Sequence, residues 1–209
     1  VGGHSIDSPE PIFGLAVTGR IDLKNLKRND TATAGCKLYL TKPLGVGILS
    51  TAQKQGKIEV KDALIASQSM TKLNSIGFEM GKIEGVKAMT DVTGFGLLGH
   101  LVEMCEGSGL SAIVQFDKVP VFKEVHKYLA LGCVPGGTTR NWNSYGHHVQ
   151  LKEESFKEIL CDPQTSGGLL IAVEENSHLE VADLLAKNGL VCVSIGEIVA
   201  KQDVLIRVE

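Results

Sequence analysis

Short apolar runs alternate along the chain with segments of helical period. Runs that are rich in β-branched residues predict strands at 14–21, 37–41, 86–92, 111–116, 169–173, 191–198 and 204–208. Helices are predicted after the glycine-rich turn at 42–47, weakly across 60–80, from Leu97 to the glycines at 107 and 109, over 121–129, over 156–160 and over 179–187. The alternation predicts an α+β chain in which helices cover a sheet, with a hairpin formed by the last two strands.

The stretch "VPGGTTRNWNSYGHH" at 134–148 shows neither period. It is polar and rich in Gly, Asn and Ser, so we expect a long loop. Loops of this length are usually functional or disordered.

Composition excludes several classes of protein. Of the 209 residues, 43% are hydrophobic, and the formal net charge is −3. No run approaches the roughly 20 apolar residues of a membrane span, so no membrane partner is expected. A nucleic-acid surface would need clustered Lys and Arg, which the charge balance argues against. The five cysteines form no C-x-x-C pair, which disfavours a zinc site and favours reduced thiols in a cytoplasmic protein.

The segment "TDVTGFGLLGHLVEMCEGSG" at 90–109 contains G-x-G-x-x-G. A predicted strand precedes it, a helix follows, and Asp117 lies 23 residues after Gly94, as a dinucleotide-binding fingerprint requires. Against this interpretation, Lys87, Thr90 and Asp91 interrupt the first strand, and a central parallel strand is nearly all apolar. A carboxylate at Asp91 would also repel a pyrophosphate by about 4 kcal/mol at 4 Å separation.

A cation between Asp91 and a phosphate would remove that repulsion. Mg²⁺ is commonly held by one or two carboxylates together with substrate phosphates and waters. The segment therefore suggests a metal carboxylate beside a glycine-rich helix start. The alternative is that Asp91 or Thr93 only caps the helix, and the residues alone leave both interpretations open.

Three further stretches could carry chemistry. Gly3, His4 and Ser5 in "GGHSID" could approach a phosphate through backbone N–H groups and side-chain donors, or form an ordinary turn. Arg140, Asn141 and Asn143 on the predicted loop are candidates for a phosphate-binding site, since Arg can clamp phosphate with two N–H bonds, although a solvated loop is the alternative. In "CDPQTSGG" at 161–168, the apolar residues before Cys161 favour a buried structural thiol over a nucleophile.

Taken together, several strings resemble the selenophosphate synthetase (selenide, water dikinase) family. They are "GGHSIDSPEPIFGLAVTG" at 2–19, "AGCKLYLTKPLGVG" at 34–47, "EGVKAMTDVTGFGLLGHLVEMC" at 84–105, "VPGGTTRNWNSYG" at 134–146 and "CDPQTSGGLL" at 161–170. The resemblance runs in order along essentially the whole chain. It implies a reaction in which ATP, selenide and water give selenophosphate, AMP and phosphate for selenocysteine biosynthesis.

The resemblance also implies a fold and a site. The fold is that of the wider superfamily of aminoimidazole ribonucleotide synthetase, with a C-terminal domain that is a mixed sheet covered by helices. Asp91 corresponds to a Mg²⁺ ligand at the ATP phosphates, which favours the metal over the cap. Gly3, His4 and Ser5 correspond to the nucleotide-contacting stretch. The partners implied are ATP and selenide, and the full-length protein is expected to be a cytoplasmic homodimer.

The chain departs from the family pattern at its start. The family's reactive cysteine or selenocysteine, a nearby lysine and further metal-binding aspartates have no counterpart in it, so we expect no catalytic residue here and no activity of these 209 residues alone. We expect residues 1–18 to be a remnant of an N-terminal ATP-binding domain and residues 19–209 to form the C-terminal domain. Rival functions are another ATP-dependent enzyme of the superfamily, a nicotinamide-binding oxidoreductase and a non-catalytic interaction domain.

Overall fold

Seven strands form one mixed sheet. The structure, a computed structural model, describes residues 7, 9, 10, 12 and 14–209. The strands are β1 (Lys37–Leu40), β2 (Val86–Asp91), β3 (Ser111–Val114), β4 (Val149–Leu151), β5 (Leu169–Val173), β6 (Gly196–Val199) and β7 (Ile206–Val208). Their order across the sheet is β2-β5-β1-β6-β3-β7-β4. The pairs from β2 to β3 are antiparallel, whereas β7 runs parallel to β3 and to β4.

Eight α-helices surround the sheet in the described part of the chain. They are α1 (Val46–Lys54), α2 (Ile65–Thr71), α3 (Ile76–Lys82), α4 (Gly96–Ser108), α5 (Val125–Ala130), α6 (Gly136–Tyr145), α7 (Phe156–Leu160) and α8 (His178–Lys187). The predicted α+β class, a mixed sheet covered by helices, is confirmed.

Strand β5 explains why both faces of the sheet carry helices. All five of its residues are buried. Leu170 and Ala172 belong to the larger apolar cluster, which includes residues of α1 and α4, while Ile171 and Val173 belong to a second cluster with residues of α3 and α8. A strand that is buried on both faces is a continuous apolar run rather than an alternating one, as "LLIAV" is.

Three predictions about the elements were wrong. Residues 14–21 form no strand and are exposed; Val17, for example, is 86% exposed, and this segment pairs with no strand among the described residues. The last two strands form no hairpin, because β3 lies between β6 and β7. The stretch 134–148 is not a loop but contains α6, whose buried positions are Thr138, Asn141 and Tyr145. A helix whose buried face is polar gives no apolar period to recognise.

Candidate functional site

Four of the sequence motifs meet at one end of the sheet, around the segment 161–168. The backbone N–H of Gln164 donates to the carbonyl of Thr93 (2.9 Å), and that of Val92 donates to the carbonyl of Gly168 (2.8 Å). The N–H of Gly47 donates to Oδ2 of Asp162 (3.0 Å). The strings at 42–47, 90–99 and 161–168 therefore form one hydrogen-bonded unit.

Helix α6 adds the fourth motif to this unit. Asn141 is buried, and its Nδ2 donates to the carbonyls of Gly94 (2.8 Å) and Cys161 (3.0 Å). The hydroxyl of Tyr145, one turn further along, donates to the carbonyl of Phe95. Because one amide group joins the turn before α4 to the segment after α7, Asn141 positions the two motifs relative to each other.

This geometry changes the interpretation of Arg140, Asn141 and Asn143. The three residues lie on a helix, and only Asn141 faces inward; Arg140 and Asn143 are exposed. The predicted loop is wrong because residues Gly136–Tyr145 form a helix. The amide of Asn141 is used by two carbonyls and so is not free to bind phosphate. A phosphate contact by Arg140 and Asn143 on the exposed face stays a prediction.

The glycines of G-x-G-x-x-G allow contacts within the protein. Gly96 has a φ of +70°, and a Cβ there would lie 2.8 Å from the backbone carbon of Cys161. A Cβ at Gly99 would lie 2.8 Å from the ring of Tyr145, and only Gly94 faces open space. In addition, β2 is antiparallel to β5 and is separated from β3 by three strands, so no parallel βαβ unit surrounds the motif. The dinucleotide-fingerprint interpretation, and with it the nicotinamide-binding oxidoreductase, does not fit this fold.

Asp91 is the last residue of β2 and is exposed. Its backbone is fixed by pairing with Leu169 of β5. Its carboxylate forms no hydrogen bond or ion pair with another group in the described residues. Helix α4 begins after Phe95 without a side-chain cap, so neither Asp91 nor Thr93 caps it. The cap alternative is wrong, and a free, anchored carboxylate remains.

A shallow groove beside Asp91 is lined by Arg28, Asp30, Met89 and Leu169, among others. Arg28 is engaged by Asp30 (Nε to Oδ1, 2.7 Å), and this bond with its ion pair holds the pKa of the Asp30 carboxyl below its usual range. No group of three or more His, Cys, Asp or Glu side chains suited to a metal occurs among the described residues. Asp91 therefore fits a cation that is shared with phosphate oxygens and waters, but not a cage made by the protein alone.

Sequence reasoning missed His100. It lies on the second turn of α4 and is 7% exposed. Its Nε2 is 3.0 Å from the backbone nitrogen of Thr93 and 3.1 Å from Thr93 Oγ1, and its Nδ1 is 3.3 Å from Oε2 of Glu103. The i, i+3 spacing of His100 and Glu103 was visible in the sequence, but the contact with Thr93 depends on the turn at Gly96.

Lys42 was also missed. Its ammonium group is buried and donates to the carbonyls of Ser69 (3.1 Å), Lys72 (2.7 Å) and Ser166 (2.9 Å), so all three N–H donors have partners. Burial lowers the pKa of Lys42. Ser166 has a φ of +53°, a conformation that costs a non-glycine residue free energy and persists only where its surroundings impose it. Lys42 and the bond from Ser166 Oγ to the carbonyl of Met70 (2.8 Å) supply those surroundings.

Asp162 is fully buried at the start of α1. Oδ2 accepts hydrogen bonds from the N–H of Gly47 and from Nε2 of Gln164 (2.7 Å), while Oδ1 has no partner. Burial raises the pKa of Asp162 to about 7. Burial likewise raises the pKa of the neighbouring Cys161 to about 11, which confirms the buried, unreactive thiol expected from the sequence.

The raised pKa of Asp162 predicts a pH dependence of stability. Its folded pKa lies above that of an unfolded Asp, so the unfolded state ionises first as pH rises. We expect the free energy of unfolding of the protein, minus that of Asp162→Asn, to fall by on the order of 4 kcal/mol between about pH 4 and pH 7 and to be constant above it. Urea unfolding of both proteins at several pH values measures this difference. A difference that rises over this range would show that Gly47 and Gln164 keep the carboxylate ionised.

Gly3, His4 and Ser5 lie outside the described residues, so their predicted nucleotide contact stays a prediction. In the part of the chain that is described, no helix has the length and apolar character that crossing a membrane requires.

Curated proteins similar to this chain are selenide, water dikinases. The protein of that name from Haemophilus influenzae is 57% identical over 208 residues, which cover 100% of this chain and 60% of the relative. The one from Pseudomonas putida is 58% identical over 201 residues, which cover 96% of this chain and 58% of the relative. The chain thus spans about three-fifths of the length of these relatives, and the resemblance indicated by its motifs is confirmed.

Solved structures show the same fold at low identity. Thiamine-monophosphate kinase from Stenotrophomonas maltophilia matches with a TM-score of 0.63 at 17% identity, over 88% of this chain and 52% of that one. HypE from E. coli matches with a TM-score of 0.63 at 19% identity, over 87% and 48%. The family model described as AIR synthase related protein, C-terminal domain, matches residues 33–209. The chain therefore belongs to the AIR synthase related family, whose C-terminal domain it carries.

Proposed function

We propose that this chain is part of a selenide, water dikinase, which converts ATP, selenide and water into selenophosphate, AMP and phosphate. The high identity to relatives of that name along essentially the whole chain supports this proposal. The observation that carries it is Asp91, an exposed carboxylate that lacks a partner in the described residues and is anchored at the end of a strand. Since the chain spans 60% of the Haemophilus relative, we assign the activity to a protein of the relatives' full length.

In this proposal Asp91 would hold Mg²⁺ at the phosphates of ATP. Bound Mg²⁺ would neutralise charge on the phosphates and orient them, which is most of what phosphoryl transfer requires of a protein. What the chain itself contributes is the position of the Asp91 backbone. The sheet fixes the backbone of Asp91 on one side, and the turn at 92–95 fixes it on the other.

The remaining assignments rest on the resemblance, except that of Arg140 and Asn143, which rests on their residue types and exposure. Gly3, His4 and Ser5 contact the nucleotide, and Arg140 and Asn143 are available for a phosphate on the exposed face of α6. Residues 1–18 belong to an ATP-binding domain, and residues 19–209 form the C-terminal domain. We further propose that the full-length protein is a cytoplasmic homodimer that supplies selenophosphate for selenocysteine biosynthesis.

A product assay tests the proposed function. The full-length protein is incubated with ATP, Mg²⁺ and selenide under anaerobic conditions; AMP is measured by chromatography and selenophosphate by ³¹P NMR. We expect both products to form in equal amounts and only when selenide is present. We expect the 209-residue chain alone to form neither, because the nucleophile segment of the family is not in it.

Two results would contradict the proposal. AMP formation by the full-length protein that does not depend on selenide would favour another ATP-dependent enzyme of the same superfamily. Selenide-dependent AMP formation by the 209-residue chain would place the whole site within these residues and contradict the division into two domains.

A further inference from the structure

A hydrogen-bonded chain runs from Glu103 through His100 to Thr93, next to the proposed metal carboxylate. Thr93 lies two residues after Asp91, in the turn that joins β2 to α4. His100 is almost completely buried, whereas the Glu103 side chain is 48% exposed. The side chain of a helical residue leans toward the helix N-terminus, which is how His100 reaches back to the turn.

The contacts of His100 define its tautomer. A backbone N–H can only donate, so Nε2, which lies 3.0 Å from the nitrogen of Thr93, must be the acceptor. The proton of the neutral ring is then on Nδ1, which faces the carboxylate of Glu103 at 3.3 Å. A carboxylate on one ring nitrogen fixes the role of the other nitrogen, as it does in many sites where imidazole has a defined function.

The turn depends on this contact. The N–H of Val92 donates to the carbonyl of Gly168 in the 161–168 segment. The carbonyl of Thr93 accepts hydrogen bonds from the N–H groups of Gly96 (3.0 Å) and Gln164 (2.9 Å). The N–H of Thr93 has His100 as its partner in the described structure. Without the acceptor of His100, the half-buried N–H of Thr93 would be unpaired. The turn would then lower its free energy by moving so that water reaches this N–H.

We propose that His100 is a positioning residue that acts through Thr93 to hold Asp91 in the orientation that binds Mg²⁺. The inference rests on the proposed role of Asp91. The sheet holds the backbone of Asp91 at Leu169, and the imidazole holds the chain two residues later, so the backbone from which the carboxylate projects is held from both sides. Groups that hydrogen-bond a metal ligand directly typically change metal affinity by 10- to 100-fold when they are removed. His100 acts through Thr93, so we expect an effect at the low end of that range.

The test uses the full-length protein and two substitutions of His100. His100→Gln keeps a side-chain acceptor that can reach the N–H of Thr93, whereas His100→Leu keeps bulk and removes the acceptor. We measure Mn²⁺ binding by electron paramagnetic resonance in the presence of ATP, and the Mg²⁺ concentration that gives half-maximal turnover. We expect His100→Leu to raise the Mn²⁺ dissociation constant and the half-maximal Mg²⁺ concentration by about tenfold, and His100→Gln to change either by less than about threefold.

Two further measurements remain decisive if His100→Leu fails to fold. Glu103→Ala removes the partner of Nδ1 at a half-exposed position, and we expect it to weaken Mn²⁺ binding in the same direction by about threefold, below the range for a group that touches the ligand itself. In the unsubstituted protein, ¹⁵N NMR of the imidazole should show an unprotonated Nε2 and a protonated Nδ1. A protonated Nε2, or unchanged Mn²⁺ binding by Glu103→Ala, would overturn the inference.

Asp91→Asn separates the two proposals. If it binds Mn²⁺ weakly while a folded His100→Leu binds normally, the positioning role is overturned and the metal assignment stands. If Asp91→Asn binds Mn²⁺ normally, the metal assignment fails, and the inference about His100 fails with it. A purely structural His100 would lower the melting temperature in both His100 variants without changing Mn²⁺ affinity.

Discussion

Asp91→Asn in the full-length protein is expected to lower selenide-dependent turnover about a hundredfold or more while the fold stays intact. Asn keeps the size of the side chain and one carbonyl oxygen but removes the negative charge. The charge stabilisation that a metal provides in the transition state is worth several kcal/mol, and each 1.36 kcal/mol corresponds to about a tenfold change in rate. A loss of about 3 kcal/mol therefore gives roughly the hundredfold reduction.

The stability of this variant should barely change. Asp91 is exposed, does not cap α4 and has no hydrogen-bond partner for its carboxylate in the described residues. Substitutions at such positions usually change the free energy of unfolding by less than about 0.5 kcal/mol. The experiment is an assay of selenide-dependent AMP release at several Mg²⁺ concentrations, with circular dichroism and a melting curve to establish that the variant is folded.

Asp117→Ala is the matched control. Asp117 is also an exposed aspartate shortly after a strand, in the 3₁₀ turn Phe116–Lys118 that follows β3. A dinucleotide site would have used it for a ribose hydroxyl, whereas the observed sheet gives it no such place. We expect ATP use to be nearly unchanged in Asp117→Ala. Near-normal turnover in a folded Asp91→Asn protein would remove the metal assignment, and a large loss of nucleotide affinity in Asp117→Ala would reopen the dinucleotide interpretation.

Local patterns in the sequence predicted the helices and strands whose buried residues are hydrophobic. "LLIAV" at β5 and the three- and four-residue spacing of leucines in α4 are clear because the buried positions are hydrophobic. Helix α6 was missed because two of its three buried positions, Thr138 and Asn141, are polar. The buried amide of Asn141 is compensated by hydrogen bonds to two carbonyls. The amphipathic pattern is a pattern of hydrophobicity, so it cannot report a helix that packs through polar groups.

Pairing between distant strands was not predictable in the same way. The sequence gives β6 and β7 as neighbours along the chain, but β3, which lies some 80 residues earlier, is inserted between them. Residues 14–21 have the composition of a strand, but a strand also needs a partner to receive its backbone hydrogen bonds, and none is present in the described structure. Composition reports a preference, whereas pairing depends on what else lies nearby.

Only the part of the candidate site that shows in charge and glycine content could be proposed from the sequence. Asp91 was identified because a carboxylate next to a glycine-rich turn conflicts with a phosphate unless a cation is present. His100, Lys42 and Asp162 were missed because their roles depend on contacts with Thr93, Ser166 and Gly47, each made across a turn or between distant segments. Single residues of these types carry no periodic signal.

The glycines of the motif at 94–99 provide the last prediction, which compares Gly96→Ala with Gly94→Ala. Gly96 has a φ of +70°, and a Cβ there would lie 2.8 Å from the backbone of Cys161. The left-handed conformation costs a non-glycine residue about 1–2 kcal/mol, and overpacking against backbone costs about 1–3 kcal/mol more. We expect Gly96→Ala to lower the free energy of unfolding by on the order of 4 kcal/mol, the upper part of the range that these two costs span.

Gly94→Ala is the matched control because it makes the same chemical change two residues earlier. A Cβ at Gly94 has no atom within 4 Å, and its φ lies outside the left-handed region. Replacing Gly by Ala where the backbone permits it stabilises a protein by about 0.4–1 kcal/mol, because the unfolded chain loses freedom. Urea unfolding and melting curves should therefore separate the two variants by on the order of 10 °C in Tm. If both substitutions were tolerated equally, the contact between the GFG turn and Cys161 would not be what requires glycine, and an open loop that receives a ligand would again explain both glycines.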